Sequence, residues 1–523
     1  HAVEEAERLG LSITLNAGPG WTGSGGPWVP ASESMQHLVV AEVNVTGPAR
    51  WDAVLPCPEP RAPYFGLQGW PEEMVRARQA FYADVAVLAV PRTDAGVRIE
   101  DVDEKALYVR DPYTSLPGVK PFLRPAVHGD ATPAAGIVAA RDVLVLSDRL
   151  QPDGRLVWDA PPGAWTILRF GRRTTGANTR PAPQPGIGWE CDKFDRAALT
   201  AHFDAFVGRL LRAIGPRPAQ RTAGWTTLHI DSWEMGAQNW SERFAAEFAA
   251  RRGYDPMAYL PVMTGRIVDS REVSERFLWD LRRTAQELVI EQHAEHLKAL
   301  GRRHGFSLSI EPYDMNPAGD LTLGAVADVP MCEFWSRGFV LQSTFSCVEA
   351  ASIAHTNGRP IVAAEAFTAD ATEAWQLFPG AMKDQGDWAL CACARGRRVG
   401  TDIEQIRADL AGETIAERFF SAREVAVLRS LPVAEQPRAF FRCWTRKEAF
   451  VKARGEGLSL PLDRFDVTLG PDELPALLRT LDDPAEAARW SMFALPSPPF
   501  YEAAVVAEGS LDPARVSQFL ETI

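Results

Sequence analysis

Two groups of residues in this chain have types and spacings that could do chemistry. In the first, Asp402 and Glu404 stand two apart in VGTDIEQ, and Glu448 and Lys452 stand four apart in TRKEAFVKARGEG. Side chains two apart on a strand share a face, and side chains four apart on a helix share a side. Three carboxylates converging in this way suit Mg²⁺, which keeps several waters and recruits its other oxygens from phosphates. Lys447 and Lys452 could then neutralise a pyrophosphate, while Gly455 and Gly457 would let backbone approach it. Taken alone, K-E-A-x-x-K is equally well a salt-bridged surface helix.

The second group is a series of acids at predicted strand ends: Asp231 and Glu234 in HIDSWE, Glu311 and Asp314 in SIEPYD, Glu333 in CEFW, and Glu365 in AAEAFT. Each cluster has Trp, Tyr or Phe beside it. Hydrolysis of a glycosidic bond needs one protonated carboxyl for the leaving oxygen and one carboxylate opposite it. An aromatic neighbour that excludes water raises a carboxyl's pKa, the property required of the acid. A lone strand-end carboxylate is ordinarily a helix cap or a solvated charge, and that reading stands equally for Asp231, Glu311 and Asp314. His229 reads as a packed strand histidine.

These residues need elements to position them. A helix over 2–9 stopped by Gly10, a strand over 11–15 and a glycine-rich turn open the chain. That turn matches G-x-G-x-x-G, but Pro27 and Pro30 forbid the helix a dinucleotide site requires. Short β-rich runs over 38–45, 85–90, 143–146 and 165–170 predict an inserted β-domain, a sandwich. Strand and helix alternation returns with a helix over 196–214, a strand over 227–230, helices over 240–253 and 271–302, and strands near 307–311, 327–332 and 361–365. Such units with acids at strand ends predict a (β/α) barrel whose chemistry sits at the C-terminal strand ends. Beyond residue 388 the pattern predicts a compact α+β unit. It has a hairpin over 388–394 and 398–406, helices over 411–430 and 437–454, and strands around 465–469, 489–495 and 500–507. The expected organisation is therefore multidomain: 1–36 opening a barrel, 37–185 inserted, 186–387 continuing the barrel, and 388–523 separate.

Bulk properties narrow the function classes. The chain has 523 residues and a net charge of −13, so it lacks the basic excess that nucleic-acid binding demands. Seven cysteines form no C-x-x-C pair, which predicts reduced thiols. No apolar run approaches the roughly 18 residues that span a bilayer. Residue 1 is His inside a predicted helix, so an N-terminal piece is expected to be missing.

The wording of the motifs goes further. GLSITLNAGPGWTGSGGPWVPASESMQ, HIDSWEMGAQNW, RRGYDP, EFW, AAEAFT and FPGAMKDQGDWAL, in that order, resemble the glycoside hydrolase family 106 α-L-rhamnosidases over about residues 1–390. The resemblance implies a calcium-assisted, inverting hydrolase of rhamnoside-type carbohydrates on a (β/α)₈ barrel. It makes Glu234 the general acid, Glu365 the base that activates water, and Glu333 a candidate calcium ligand or orienting carboxylate. The closing βα units of that family do not follow, so an incomplete barrel is expected.

VGTDIEQI, RFFSAREVAVL and FFRCWTRKEAFVKARGEGLSLPL resemble the C-terminal half of the Sfp-type 4′-phosphopantetheinyl transferases, over about residues 388–523. That resemblance implies Mg²⁺-dependent transfer of the phosphopantetheine arm from coenzyme A to a serine of an acyl or peptidyl carrier protein. Asp402, Glu404 and Glu448 would hold the metal, and Glu448 would also help deprotonate the serine. Lys452 would stabilise pyrophosphate charge, with Lys447 a second phosphate contact and Gly455 beside the ligand. Glu424, in the F-S-x-x-E motif, matches without a settled role. Phe419, Phe420, Phe440, Phe441 and Trp444 read as core. The first half of such pseudo-dimers, with its basic coenzyme A contacts, is absent, so weak or no transfer is expected. The transferase implies a cytoplasmic location, the hydrolase a periplasmic or secreted one. Three readings are therefore open: a bifunctional enzyme, one active module (the hydrolase alone included), or an inactive, mis-assembled fusion.

Overall fold

The computed structural model describes residues 1–93, 97–109, 133–182, 185–215, 222–313, 318–337, 340–342, 344–369, 397–407, 413–455, 460–481, 483, 485–497 and 499–510. Asp314, Gly457, the motif at 378–390 and the strand expected at 388–394 lie outside these residues. The chain divides into two compact units, His1–Phe334 with Ser343–Ala366, and Trp335–Gln342 with Phe367–Ile523.

In the first unit, Ser12–Asn16, Gly224–Ile230, Ser307–Ile310 and Val329–Arg337 pair in that order, every neighbour parallel. Ala363–Ala369 pairs with Val329–Arg337. Leu228, Ile230, Leu308 and Ile310 are buried on one face of these strands, alternating with the buried polar His229 and Ser309 on the other. The register sets Asn16 beside His229 and His229 beside Ser309. Gly224–Ile230 and Ser307–Ile310 therefore end together at Asp231 and Glu311, while Val329–Arg337 runs on past Glu333. The described strands make a half-barrel sheet; the eight-strand closure implied by the resemblance is not among the described residues.

Two of the expected helices are interrupted. The one over 196–214 divides at Phe206 into Arg196–Ala205 and Val207–Ile214, where Phe206 stacks on Trp28. The one over 271–302 contains a π-helical turn, Val289–Ala294, between Arg271–Leu288 and Glu295–Arg303. A π turn re-aims one side chain; here buried His293 meets Ser24 Oγ at 2.8 Å. Ser24 belongs to a buried network that holds the glycine-rich turn. Lys193 Nζ reaches Ser24 Oγ at 2.6 Å and Glu190 Oε2 at 2.7 Å, and Thr22 Oγ1 donates to Glu190 Oε1 at 2.6 Å. The turn is thus built into the core.

The inserted region forms a four-stranded antiparallel sheet in the order Gln36–Val54, Arg155–Thr174, Ala83–Pro91, Leu144–Val145. A second sheet facing it, as in a sandwich, is not among the described residues.

In the second unit, Val399–Gln405 pairs antiparallel with Tyr501–Glu508, which pairs with Trp490–Ala494. Among the described residues Val399–Gln405 pairs with the distant Tyr501–Glu508; the hairpin partner expected over 388–394 lies outside them. The helix predicted over 411–430 is two, Glu413–Phe419 and Ala422–Ser430, separated by the Ser421 cap. The long helix Gln436–Arg454 buries Phe440, Phe441 and Phe450 in a core with Phe420, Phe465 and Trp490.

Candidate functional sites

In the first unit, the strand ends bring His229, Asp231 and Glu311 together, with one ligand atom of each within 4.8 Å of the others. Asn16 Nδ2 reaches Asp231 Oδ2 at 3.5 Å, and His229 Nδ1 meets Ser309 Oγ at 2.7 Å. The expected packed histidine is therefore buried as read, but it also borders the acid cluster. Glu311 is 1% exposed. Its Oε2 accepts from the Tyr313 hydroxyl at 2.7 Å, and the same hydroxyl lies 3.2 Å from Glu333 Oε2. Glu311 Oε1 is buried and accepts no hydrogen bond among the described residues. Burial, joined by the charges of Asp231, Glu333 and Glu365, pushes the Glu311 carboxyl far above the carboxylate range.

That shared field places Asp231, Glu311, Glu333 and Glu365 in one neighbourhood. Glu365 lies exposed on Ala363–Ala369. Glu234 is half-buried on the loop after Gly224–Ile230, where its Oε1 accepts from Ser232 Oγ at 3.0 Å. Tyr313 was not singled out from the sequence as a site residue, although the Tyr two residues after Glu311 in SIEPYD was its available signal.

In the second unit, the strand Val399–Gln405 crosses the long helix closely enough that a Cβ on Gly400 would lie 2.3 Å from Ala449 O. Only glycine permits that approach. It sets Asp402 and Glu404 against the helix face carrying Glu448 and Lys452. Lys452 Nζ lies 2.6 Å from Asp402 Oδ1. Asp402 Oδ2 is buried with no hydrogen-bond partner among the described residues. Burial raises the Asp402 carboxyl to about 6; Lys452 opposes the shift and the Glu448 charge adds to it. Burial and the Asp402 charge raise Glu404 to about 7, again against Lys452. Asp402, Glu404 and Lys452 thus act on one another and the Glu448 charge reaches Asp402, but among the described residues the three acids do not bring one ligand atom each within 4.8 Å of the others as His229, Asp231 and Glu311 do.

Lys447 does not join them, which corrects its expected phosphate role. Its ammonium is fully buried, 2.8 Å from Glu424 Oε2, and donates to Leu462 O at 2.7 Å and Phe465 O at 2.6 Å. Neighbouring helix positions point about 100° apart, so Lys447 turns inward where Glu448 turns toward the acids. Glu424 is likewise structural: it completes a capping box with Ser421 and accepts from Val467 N at 2.7 Å. Gly455 ends the helix at φ 74° and donates to Val451 O. A cap explains this glycine without a ligand. Phe420, Phe440 and Phe441 are core residues, while Phe419 at 37% exposed is not.

Comparison with known proteins also divides the chain in two, at 398–410. A family profile described as alpha-L-rhamnosidase matches residues 1–410, and one described as the 4′-phosphopantetheinyl transferase superfamily matches residues 398–506. A putative beta-glucuronidase of Formosa agariphila is 35% identical over 389 residues, which cover 74% of this chain and 30% of that protein. The 4′-phosphopantetheinyl transferase HetI of Nostoc sp. is 42% identical over 107 residues, covering 20% of this chain and 42% of its own length. A solved rhamnosidase from Novosphingobium sp. superposes with a TM-score of 0.59 at 24% identity, covering 73% of this chain and 47% of that one. The chain therefore spans less than half the length of each of these relatives. No helix among the described residues is long and apolar enough to cross a membrane.

Proposed function

We propose a function for each module from one premise: the chain belongs to the alpha-L-rhamnosidase family of glycoside hydrolases and joins that module to a 4′-phosphopantetheinyl transferase module. For the first, the reading is hydrolysis of a glycoside with inversion at the anomeric carbon. The observation that carries it is the gathering of strand-end carboxylates around Glu311. Glu234, half-buried beside Trp233, gives its proton to the leaving oxygen. Glu365, exposed to solvent, takes the proton from the attacking water.

Asp231, Glu311 and Glu333 offer oxygens for a hard cation, and the unpartnered Glu311 Oε1 fits one. Bound there, Ca²⁺ would supply positive charge against substrate hydroxyls. Tyr313 keeps the Glu311 and Glu333 carboxyls in fixed relation. A beta-glucuronidase reading, suggested by the Formosa relative, would bring another carboxylate into this field, so a neutral sugar is the better substrate. The test is hydrolysis of an aryl α-L-rhamnoside beside an aryl β-D-glucuronide, with calcium, followed by NMR. Rhamnoside cleavage to the inverted anomer is expected; glucuronide cleavage alone overturns the choice of sugar.

For the second module, the reading is transfer of phosphopantetheine from coenzyme A to a carrier-protein serine, in a cytoplasmic setting. Its carrying observation is Asp402, buried against Lys452 with Oδ2 unsatisfied. Asp402, Glu404 and Glu448 would hold Mg²⁺, which supplies charge to a bound pyrophosphate. Lys452, half-exposed, can turn from Asp402 to a phosphate oxygen. Glu448 is placed to accept the serine proton. Incubation with coenzyme A, an apo-carrier protein and Mg²⁺ should add the phosphopantetheine mass to the carrier slowly. A folded, Mg²⁺-binding chain that adds none would overturn the transfer reading.

A further inference from the structure

Five cysteines lie in the described residues, and two of them face each other. Cys332 stands on the strand Val329–Arg337, immediately before Glu333, and is buried. Cys347 sits near the start of the helix Thr344–Thr356 and is half-buried. Each thiol is the first influence on the other's ionisation, raising Cys332 and lowering Cys347, so the two sulfurs lie within interaction range. The adjoining residues enforce that approach. Ser346 Oγ donates to Glu333 O at 2.6 Å and accepts from Glu333 N at 3.3 Å, so the helix start is clamped to the strand from both backbone groups. Cys332 Sγ also lies 3.5 Å from Ala363 O, two residues before Glu365. The thiol pair therefore sits directly behind two of the site carboxylates, touching the strand of each.

We propose that Cys332 and Cys347 form a reversible dithiol–disulfide couple that links the oxidation state of this pair to the geometry of the strand-end carboxylates. The pairing is chemically asymmetric. Cys347 is the sulfur a soluble oxidant can reach, and Cys332 is held where it can resolve the product. With hydrogen peroxide as oxidant, the Cys347 thiolate attacks one peroxide oxygen. An S–O bond forms, the O–O bond breaks, and water leaves after protonation. The Cys332 sulfur then attacks Cys347, the S–S bond forms, and the second oxygen leaves as water. Two thiols and one peroxide thus give one disulfide and two waters, with two electrons passing from sulfur to oxygen. A disulfide needs its sulfurs about 2.05 Å apart, so the pair must close from non-bonded to covalent distance. Closure draws the helix start toward the strand and removes the thiol proton shared with Ala363 O. The strands that carry Glu333 and Glu365 are both re-seated.

The experiment uses the full chain, titrated with hydrogen peroxide, alkylated and digested for peptide mass spectrometry. A peptide joining Cys332 to Cys347, two hydrogens lighter than the sum of its parts and split by dithiothreitol, is expected. Cys347→Ser should abolish the link and leave Cys332 unoxidised, because the remaining thiol is buried; Cys332→Ala should leave Cys347 heavier by one or two oxygens and closed to alkylation, because no thiol is left to resolve it. The activity arm rests on the hydrolase reading: glycoside cleavage should fall several-fold on oxidation and return on reduction, while Cys347→Ser is indifferent to peroxide. Because the cross-link is read by mass, a chain without hydrolase activity still tests the couple. Alkylation of both Cys332 and Cys347 after peroxide, in protein whose circular dichroism is unchanged, would overturn it. So would a bond from either one to a different cysteine.

Discussion

Both acid clusters bury a carboxylate oxygen that no hydrogen bond reaches among the described residues, Glu311 Oε1 in the first unit and Asp402 Oδ2 in the second. They manage the resulting charge differently. Asp402 has an ammonium 2.6 Å away, and its carboxyl rises only to about 6. Glu311 has a tyrosine hydroxyl and three further acids, and its carboxyl is driven far higher. Removing a charge from water costs several kcal/mol unless a counter-charge, a proton or a metal offsets it. On the readings proposed above, Mg²⁺ would take the place of Lys452 beside Asp402, and a cation at Glu311 would offset the burial and neighbouring charges that raise its carboxyl.

The largest effects should separate the two sites completely. Glu365→Gln is expected to lower glycoside hydrolysis by about 10²–10⁴-fold while Mg²⁺ binding by the same chain is unchanged. Asp402→Ala should do the reverse, with Mg²⁺ affinity falling by at least about 10-fold and carrier labelling lost. Assaying both activities on both variants checks the separation, and any crossed effect breaks it.

The two lysines of TRKEAFVKAR sharpen the contrast within one helix. Lys447→Ala removes the partner of a buried Glu424 and should cost about 3–5 kcal/mol of stability. Lys452→Ala, losing a half-exposed ammonium, should cost about 1 kcal/mol or less but abolish phosphate affinity. Denaturant unfolding, read on a signal from the second module, distinguishes the two. Equal stability losses would remove the distinction between a core lysine and a ligand lysine.

These two lysines also show what the sequence could and could not disclose. Asp402, Glu404, Glu448 and Lys452 were legible because strand and helix periods fix which side chains share a face, and the strand and helix each contribute a local pair. Lys447 was misassigned because lysine in a basic motif looks alike whether it meets phosphate or backbone carbonyls. Only the Leu462 and Phe465 carbonyls, 15 and 18 residues away, decide the matter. The half-barrel was legible from strand ends that each carry an acid, yet the bridging role of Tyr313 was not, since it depends on register between non-adjacent segments. The break at Phe206 and the π turn at Val289–Ala294 were missed for the same reason. Both follow from packing against Trp28 and Ser24, contacts distant in sequence that helical periodicity does not encode.

Tyr313→Phe tests whether the first cluster depends on that hydroxyl. It removes a donor to the Glu311 carboxyl and a contact to Glu333 without changing shape, so a loss of about 1–3 kcal/mol is expected. Because this hydrogen bond favours the ionised Glu311, its loss should push the Glu311 carboxyl higher still. The alkaline limb of the hydrolysis pH profile should move upward in the variant. An unchanged profile would mean that Glu311 titration does not reach the chemistry.

The smallest effect, and the most specific to the second cluster, is its pH dependence without metal. Asp402 and Glu404 are raised to about 6 and about 7 from ordinary values of 3.8 and 4.5. Raised carboxyls stabilise the fold fully below their ordinary values. That contribution is lost as pH rises through the folded values, where both must ionise side by side. The metal-free second module should therefore lose stability between about pH 4 and pH 7. Mg²⁺ needs the ionised carboxylates and offsets their repulsion. Its affinity should rise with pH across the same window, level off above it, and release protons on binding. Calorimetric titration at pH 5, 6, 7 and 8, as chosen test points bracketing the window, measures the affinity directly. Asp402→Asn should flatten the dependence, because the two acids then no longer share one charge problem. An affinity for Mg²⁺ that does not vary over this range would mean that Asp402 and Glu404 are not the groups that hold it.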